Sequence, residues 1–302
     1  MPNVWTHNLF GEHLDKEIGY DFLEHKEIYY LGCQGPDPFF YHHFWPWRKD
    51  KSVTKIGSLL HKKHCGSFLV EMVQYLKQHP DPLLKAYVFG FVSHHLLDRN
   101  THPYIVYRSG EEGNKHQKLE IMIDTLMMKR FKGVDTWKTP VFKEIDVGKN
   151  LPSQIQQMLI YLIKKVHAEK RPDLQLVINQ SYQDMIKALK FLFDPTGIKH
   201  ILLGEMVSPF SYSKKIPNKD FLNLQHTEWF HPTNGIEGSK ESFLDLFDRA
   251  KQEAIPIYQC IEDYLRGIKP IEQMKSLIGN VSYETGKPCD AKLENQFFEL
   301  IL

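Results

Sequence analysis

The chain has 302 residues, 42% of them hydrophobic, which is enough for one large core or two modest ones and excludes a disordered or fibrous protein. The 38 Lys and Arg balance 37 Asp and Glu, so a formal net charge of +1 gives no general attraction for nucleic acid or an anionic membrane. The N-terminal MPNVWTHNLFGEHL lacks a basic stretch followed by an apolar run, and no later segment is apolar for long enough to span a bilayer. A cytoplasmic protein without a transmembrane segment is therefore expected. Cys33, Cys65, Cys260 and Cys289 are scattered without a C-x-x-C pair, which in that setting predicts reduced thiols. Cys65 lies among histidines, but its reading is that of a small buried hydrophobe rather than a ligand.

In chain order, Phe10, Leu14, Ile18 and Phe22 recur every four residues and predict an opening helix. After GPDPFFY, His42 and His43 stand beside Phe44, Trp45 and Trp47 and read as a partly exposed aromatic loop. A second helix is expected from about Thr54 to Gln78. Pro80 and Pro82 then open a third that carries Leu83, Leu84, Tyr87 and Val88, and a fourth runs from His116 to Phe131. Gly133 to Leu151, with Pro140 and Gly148, is a loop or seam. Segments 153–170 and 178–206 read as helical. Ser208 to Gly238 holds Pro209, Pro217 and Pro232 with Tyr212, Phe221, Trp229 and Phe230, an ordered loop that packs its aromatics. Ser239 and Ser242 precede a last helix with Phe243, Leu246, Phe247 and Ala250. Neither alternating strands nor repeats stand out, so the expected class is all-α.

Of the 16 histidines, 12 lie between His7 and His116, which places the chemistry in the first half. In FGFVSHHLLDRNTHPY, His94, Asp98 and His102 are spaced by four on an apolar helix, so their side chains share one face. Ionisable groups on consecutive inward turns need something to offset their desolvation, and a metal ion does so. In NKHQKLEIMIDT, His116, Glu120 and Asp124 repeat the spacing. One such row is more often a solvated surface pair, whereas two rows in succession point to a metal site of nitrogen and oxygen donors that suits zinc. His95 is rotated by about 100° from His94 and reads as a core or supporting histidine.

GPDPFFY, the H-x3-D row and the H-x3-E-x3-D row, in this order, resemble the bacterial zinc-dependent phospholipases C and the N-terminal catalytic domain of glycosylphosphatidylinositol-specific phospholipase D. The resemblance implies a multi-helix phospholipase C/nuclease-like bundle with a zinc cluster in its core. Residues 1–132 would be the metal-binding catalytic helical core, and 133–302 C-terminal helices and loops packed on the same domain. It also implies two or three zinc ions. Asp37 and His94 would ligate one, together with His61 or His64. His102, His116 and Glu120 would hold a second. His7 and Asp98 would bind a third, Asp98 bridging it to the first. In the secreted members the N-terminal amine is also a ligand. Here Met1 and Pro2 precede an internal Trp5, so that ligand is expected to be missing or replaced by water.

Such a site would hydrolyse a phosphodiester with metal-activated water, without a protein nucleophile, and Asp37 or Asp98 could accept the water's proton. Asp124, one turn beyond Glu120, is either a group that orients a zinc-bound imidazole or a surface carboxylate. The substrate expected is a small-molecule or lipid phosphodiester. Phe39, Phe40, Phe44, Trp45 and Trp47 are candidates for an apolar cleft mouth that suits a lipid. A nuclease or nucleotidase is the less favoured alternative, since it would call for a basic groove. A non-catalytic zinc-stabilised module is a further one. An HD-type hydrolase fits less well because its His and Asp are contiguous. Oligomeric state is open.

Overall fold

The structure is a computed structural model that describes residues 3–45, 47–48 and 50–302. Among these residues the chain is 62% helical, in 11 helices. In order they are α1 (Val4–Ile18), α2 (Lys26–Gly32), α3 (Thr54–Lys62), α4 (Cys65–Gln78), α5 (Pro82–Ser109) and α6 (Lys115–Lys132). The later ones are α7 (Ser153–His167), α8 (Leu174–Leu192), α9 (Ile198–Leu203), α10 (Phe243–Leu265) and α11 (Ile271–Ile278). The all-α expectation holds. Two short strands, β1 (Trp229–Phe230) and β2 (Gly238–Ser239), pair antiparallel inside the proline-rich segment, a detail that two-residue strands cannot show in a sequence pattern.

The organising element is α5, 28 residues long. Asp81 caps it by accepting from the Leu84 amide at 2.8 Å, and Pro82 sits in the first turn, where no amide hydrogen is needed. From Ala86 to Ser109 every residue is buried, so this helix is not amphipathic but wrapped. The helices α1, α2, α4, α6 and α10 pack around it. One hydrophobic cluster extends from Val4 in α1 to Ile278 in α11 and so draws on both halves of the chain.

The α2–α5 crossing is unusually close because both helices present glycine. A Cβ on Gly32 would lie 2.4 Å from the Tyr87 carbonyl oxygen, and one on Gly90 2.3 Å from that of Tyr29. This contact drapes the segment after α2 across the middle of α5.

Three predicted boundaries shift. The opening helix stops at Gly19, in the left-handed region at φ 71°, and Phe22 belongs to a 3-10 turn that stacks on Tyr29 and Phe89. The expected Thr54–Gln78 helix breaks in two at Lys63 and His64, because His64 adopts φ 56°. The 178–206 segment divides into α8 and α9, with Phe193 to Gly197 between them. No periodicity announces any of these breaks.

Candidate metal centre

The centre is built outward from His94, fully buried in the middle of α5. The glycine-mediated α2–α5 contact lays the Cys33 carbonyl on it. His94 Nδ1–H donates to that oxygen at 3.0 Å, which leaves Nε2 as the lone-pair nitrogen facing the carboxylates. Gly35 follows at φ +50°, and a Cβ there would strike the His94 ring at 2.4 Å. The turn thus made delivers Asp37, at the start of a 3-10 turn, to 3.8 Å from His94 Nε2. His61, on the last turn of α3, is oriented in the same way: its Nδ1–H donates to the Gly57 carbonyl at 2.8 Å, and its Nε2 lies 3.2 Å from Asp37 Oδ1.

From the other side, α1 brings His7, whose ring stacks on that of His94 with centroids 4.1 Å apart. Asp98 lies between the two, with Oδ1 3.3 Å from His7 Nε2 and Oδ2 3.2 Å from His94 Nε2. A third assembly joins α5 to α6. His102 Nε2 is 3.2 Å from His116 Nε2, which is 2.7 Å from Glu120 Oε1. The Ser109 hydroxyl holds the other nitrogen of His116 at 3.2 Å.

Three groups of donors result, each with its atoms within 4.8 Å of one another: His7, His94 and Asp98; Asp37, His61 and His94; His102, His116 and Glu120. Two donors bound to one tetrahedral zinc at about 2.0–2.2 Å stand about 3.3–3.6 Å apart, and four of the donor pairs lie close to that edge at 3.2 to 3.3 Å, with His94–Asp37 at 3.8 Å and His116–Glu120 at 2.7 Å on either side of it. His94 belongs to two groups, which makes those two a continuous cluster. Both nitrogens of His7, Nε2 of His94, Oδ1 of Asp37 and both oxygens of Asp98 are buried without a hydrogen-bond partner among the described residues. Some of these atoms are close in pairs, and the imidazole and carboxylate atoms crowd into one small buried volume. Such an arrangement is costly unless a cation occupies the centre, so the residues fit zinc.

Protonation favours the same reading. Burial, with His94 adding to it, holds His7 below the usual imidazole range, and burial holds His102 well below it, so both are neutral donors at neutral pH. Burial alone would push Asp98 up, but His94 and His7 outweigh it and hold the carboxylate ionised well below its usual range. His94 is raised because Asp98 and Asp37 outweigh its burial, and a competing cation would displace that proton.

The structure brings together eight of the residues singled out from sequence and leaves His64 outside the three groups. His64 is exposed at the start of α4, its ring 5.8 Å from that of His167. Of the two alternatives, His61 is the one that faces Asp37 and His94. Asp124 requires a correction. It orients no imidazole among the described residues. Its oxygens accept from the Trp5 and Thr6 amides at 3.0 and 2.9 Å, and from the Thr6 and Tyr212 hydroxyls. Asp124 therefore clamps the first turn of α1, and through it places His7. His95 points elsewhere, its Nε2 2.8 Å from the Val281 carbonyl oxygen. Met1 and Pro2, on which the expectation about an N-terminal amine rests, lie outside the described residues.

A cleft of about 840 Å³ opens over Asp37, His61, His102, His116 and Glu120. Its lining also includes the apolar side chains of Phe40, Phe44, Trp45 and Trp47 and of Phe191, Leu203, Met206 and Phe210, with Phe40 packed on His61 at 5.1 Å between ring centroids. Phe39, expected at the mouth, instead turns into the core and is buried. Sequence reading missed the contribution of α8, α9 and the loop after them, which no spacing connects to the histidines. It also missed Tyr283, whose ring lies 5.0 Å from that of His61 and 4.4 Å from that of His95.

Fold and site together define a helical protein with His and carboxylate groups converging in its core, at the floor of a half-apolar cleft. A family model described as zinc dependent phospholipase C matches residues 6–191, more than half of the chain, and contains all three groups. The chain belongs to the zinc-dependent phospholipase C family. No curated protein and no solved structure matches it. At the level of the family, the chemistry is that of a zinc phosphoesterase. No described helix is long and apolar enough to cross a membrane.

Proposed function

We propose that this protein hydrolyses a phosphodiester that carries an apolar body, in the manner of a phospholipase C, with water as the nucleophile. The observation that carries the reading is the mixed lining of one cleft, where converging His and carboxylate donors share the surface with aromatic and aliphatic side chains. His7, Asp37, His61, His94 and Asp98 would hold one part of a zinc cluster, and His102, His116 and Glu120 the other. When bound, zinc supplies positive charge against the phosphoryl oxygens and lowers the pKa of water to about 7.

The two catalytic carboxylates expected from sequence divide their work by position. Asp37 lines the cleft and its side chain is 13% exposed, so it can reach an incoming water and take its proton on a carboxylate oxygen. Asp98 is fully buried between the imidazoles of His7 and His94 and is not among the residues lining the cleft, which supports assigning it to holding metal. The apolar part of the lining accepts the body of the substrate, and water excluded there strengthens the electrostatic contacts of the polar part. Beyond the cleft, α9 leaves Ile198, Ile201 and Leu202 55%, 83% and 75% exposed next to Leu203 at its edge, a rim suited to a lipid aggregate.

The test uses zinc-loaded protein with bis(p-nitrophenyl) phosphate and with phosphatidylcholine vesicles. Hydrolysis of both is expected, lost on chelation and restored by zinc. Zinc-loaded, folded protein inactive on phosphodiesters from neutral to alkaline pH would overturn the reading in favour of a non-catalytic zinc module. Activity on single-stranded nucleic acid far above that on lipid would favour the nuclease alternative.

A further inference from the structure

Outside the metal centre, the fold brings together two cysteines that are 224 positions apart. Cys65 opens α4 and is fully buried, Cys289 opens the 3-10 turn Cys289–Ala291 and is half-buried, and their Sγ atoms lie 3.6 Å apart. The approach is set by the backbone rather than by side-chain rotation. A Cβ on Gly66 would fall 1.7 Å from the Gly279 carbonyl oxygen, and the Gly66 amide donates to Asn280 Oδ1 at 3.2 Å. The Cys289 amide in turn donates to the Asn280 carbonyl at 2.8 Å, closing residues 280–289 into a loop whose two ends both lie at the start of α4.

That loop lies against the metal centre. The Tyr283 amide and the Ser282 hydroxyl both donate to the His61 carbonyl, at 3.1 and 3.3 Å, and the Tyr283 ring packs on His61, His94 and His95. Lys62 and Glu284 add an ion pair at 2.9 Å.

We propose that Cys65 and Cys289 are a redox-active thiol pair, which a peroxide joins into a disulfide that pins the 280–289 loop against α3 and α4. The step balances within the pair. The Cys289 thiolate attacks one oxygen of hydrogen peroxide, the O–O bond breaks, and hydroxide leaves to be protonated to water. Cys65 Sγ then attacks the resulting Cys289 sulfenic acid. The S–S bond forms, the S–O bond breaks, and hydroxide leaves with the Cys65 proton as a second water. Two thiols lose two electrons and the peroxide gains them. The roles follow from the environments. The hydrogen bond with Cys65 lowers Cys289 to about 7 against its burial, whereas that same bond and deep burial push Cys65 up. The half-buried Cys289 is thus the attacking thiolate and Cys65 the resolving thiol. Cys33 and Cys260, both buried, have no such neighbour within the described contacts.

The cross-link stands independently of the zinc reading. The test treats purified full-length protein with hydrogen peroxide, counts thiols after denaturation, and maps peptides without reduction. Two of the four thiols should disappear, a Cys65–Cys289 peptide should form, dithiothreitol should restore all four, and Cys289→Ser should abolish the linkage. Hydrogen exchange at the Tyr283 amide should slow by about fivefold or more in the oxidised protein, since opening the loop then requires α4 to move with it. Four thiols left after peroxide, pairing with Cys33 or Cys260, or over-oxidation of Cys289 to a sulfinic acid without the linked peptide would each overturn the proposal. These readouts use neither activity nor metal, so they fail or succeed separately from the phosphodiesterase reading.

Discussion

Replacement of Asp98 by Asn tests the metal centre most directly, because the side chain keeps its shape and loses only its charge. Asp98 is fully buried between two imidazoles, with one oxygen 3.3 Å from His7 Nε2 and the other 3.2 Å from His94 Nε2. In the zinc-loaded protein the change leaves positive charge without its nearest buried anion, which costs about 3–5 kcal/mol. In the metal-free protein the cost should be only about 1–2 kcal/mol, because His7 and His94 can remain neutral once the carboxylate is gone. Zinc affinity falls by the difference between the two costs, about 2–3 kcal/mol, which at about 1.4 kcal/mol per factor of ten is roughly 30–100-fold. The assay is zinc competition against a chromogenic chelator, alongside thermal unfolding with and without zinc. His95→Gln is the control. Its ring faces the Val281 carbonyl at 2.8 Å instead of the donors, so affinity should stay within about threefold. Equal losses in the two variants, or full zinc affinity in Asp98→Asn, would refute this assignment of the helix face.

Gly90→Ala would ordinarily favour a helix, but here the added Cβ meets the Tyr29 carbonyl at 2.3 Å, so destabilisation by about 3 kcal/mol is expected in thermal unfolding. An unchanged or raised midpoint would show that the α2–α5 contact is not the constraint described. Burial raises Asp124 to about 6 from an ordinary value of 3.8, against the hydrogen bonds from Thr6 and Tyr212. The folded state then holds this proton more tightly than the unfolded one. The stabilisation is fully present below about 4 and lost as pH rises through 6, a span worth about 3 kcal/mol. The difference in unfolding free energy between wild type and Asp124→Asn should therefore change by that order between pH 4 and 7, and a flat difference would contradict the buried carboxylate. Ile201→Asp combined with Leu202→Asp, both on the exposed face of α9, should alter stability by no more than about 0.5 kcal/mol. It should reduce hydrolysis of phosphatidylcholine vesicles by about tenfold or more, because burying each large aliphatic side chain contributes about 1.5–3 kcal/mol. Turnover of bis(p-nitrophenyl) phosphate should stay within about twofold in that variant, and parallel loss on both substrates would argue against a lipid-facing rim.

Much of the donor set is local information, which is why it was legible in the chain itself. His94, Asp98 and His102 share a face because four residues make about one helical turn, and His116 and Glu120 do so for the same reason. The all-helical class follows from the same periodicity, and the early concentration of histidines marks the half that carries the chemistry. What spacing cannot encode is which way a chain turns between helices. Whether His61 or His64 faces Asp37 depended on a break at Lys63 and on His64 taking a left-handed backbone conformation. The role of Asp124 depended on Thr6 and Tyr212, which lie 118 and 88 positions away. The apolar cleft lining, the Tyr283 contact and the apposition of Cys65 with Cys289 all join the C-terminal half to the first. Helical repeats fix which residues share a face within a few turns. Only close packing of helices, here allowed by glycines at Gly32, Gly66 and Gly90, decides which faces meet.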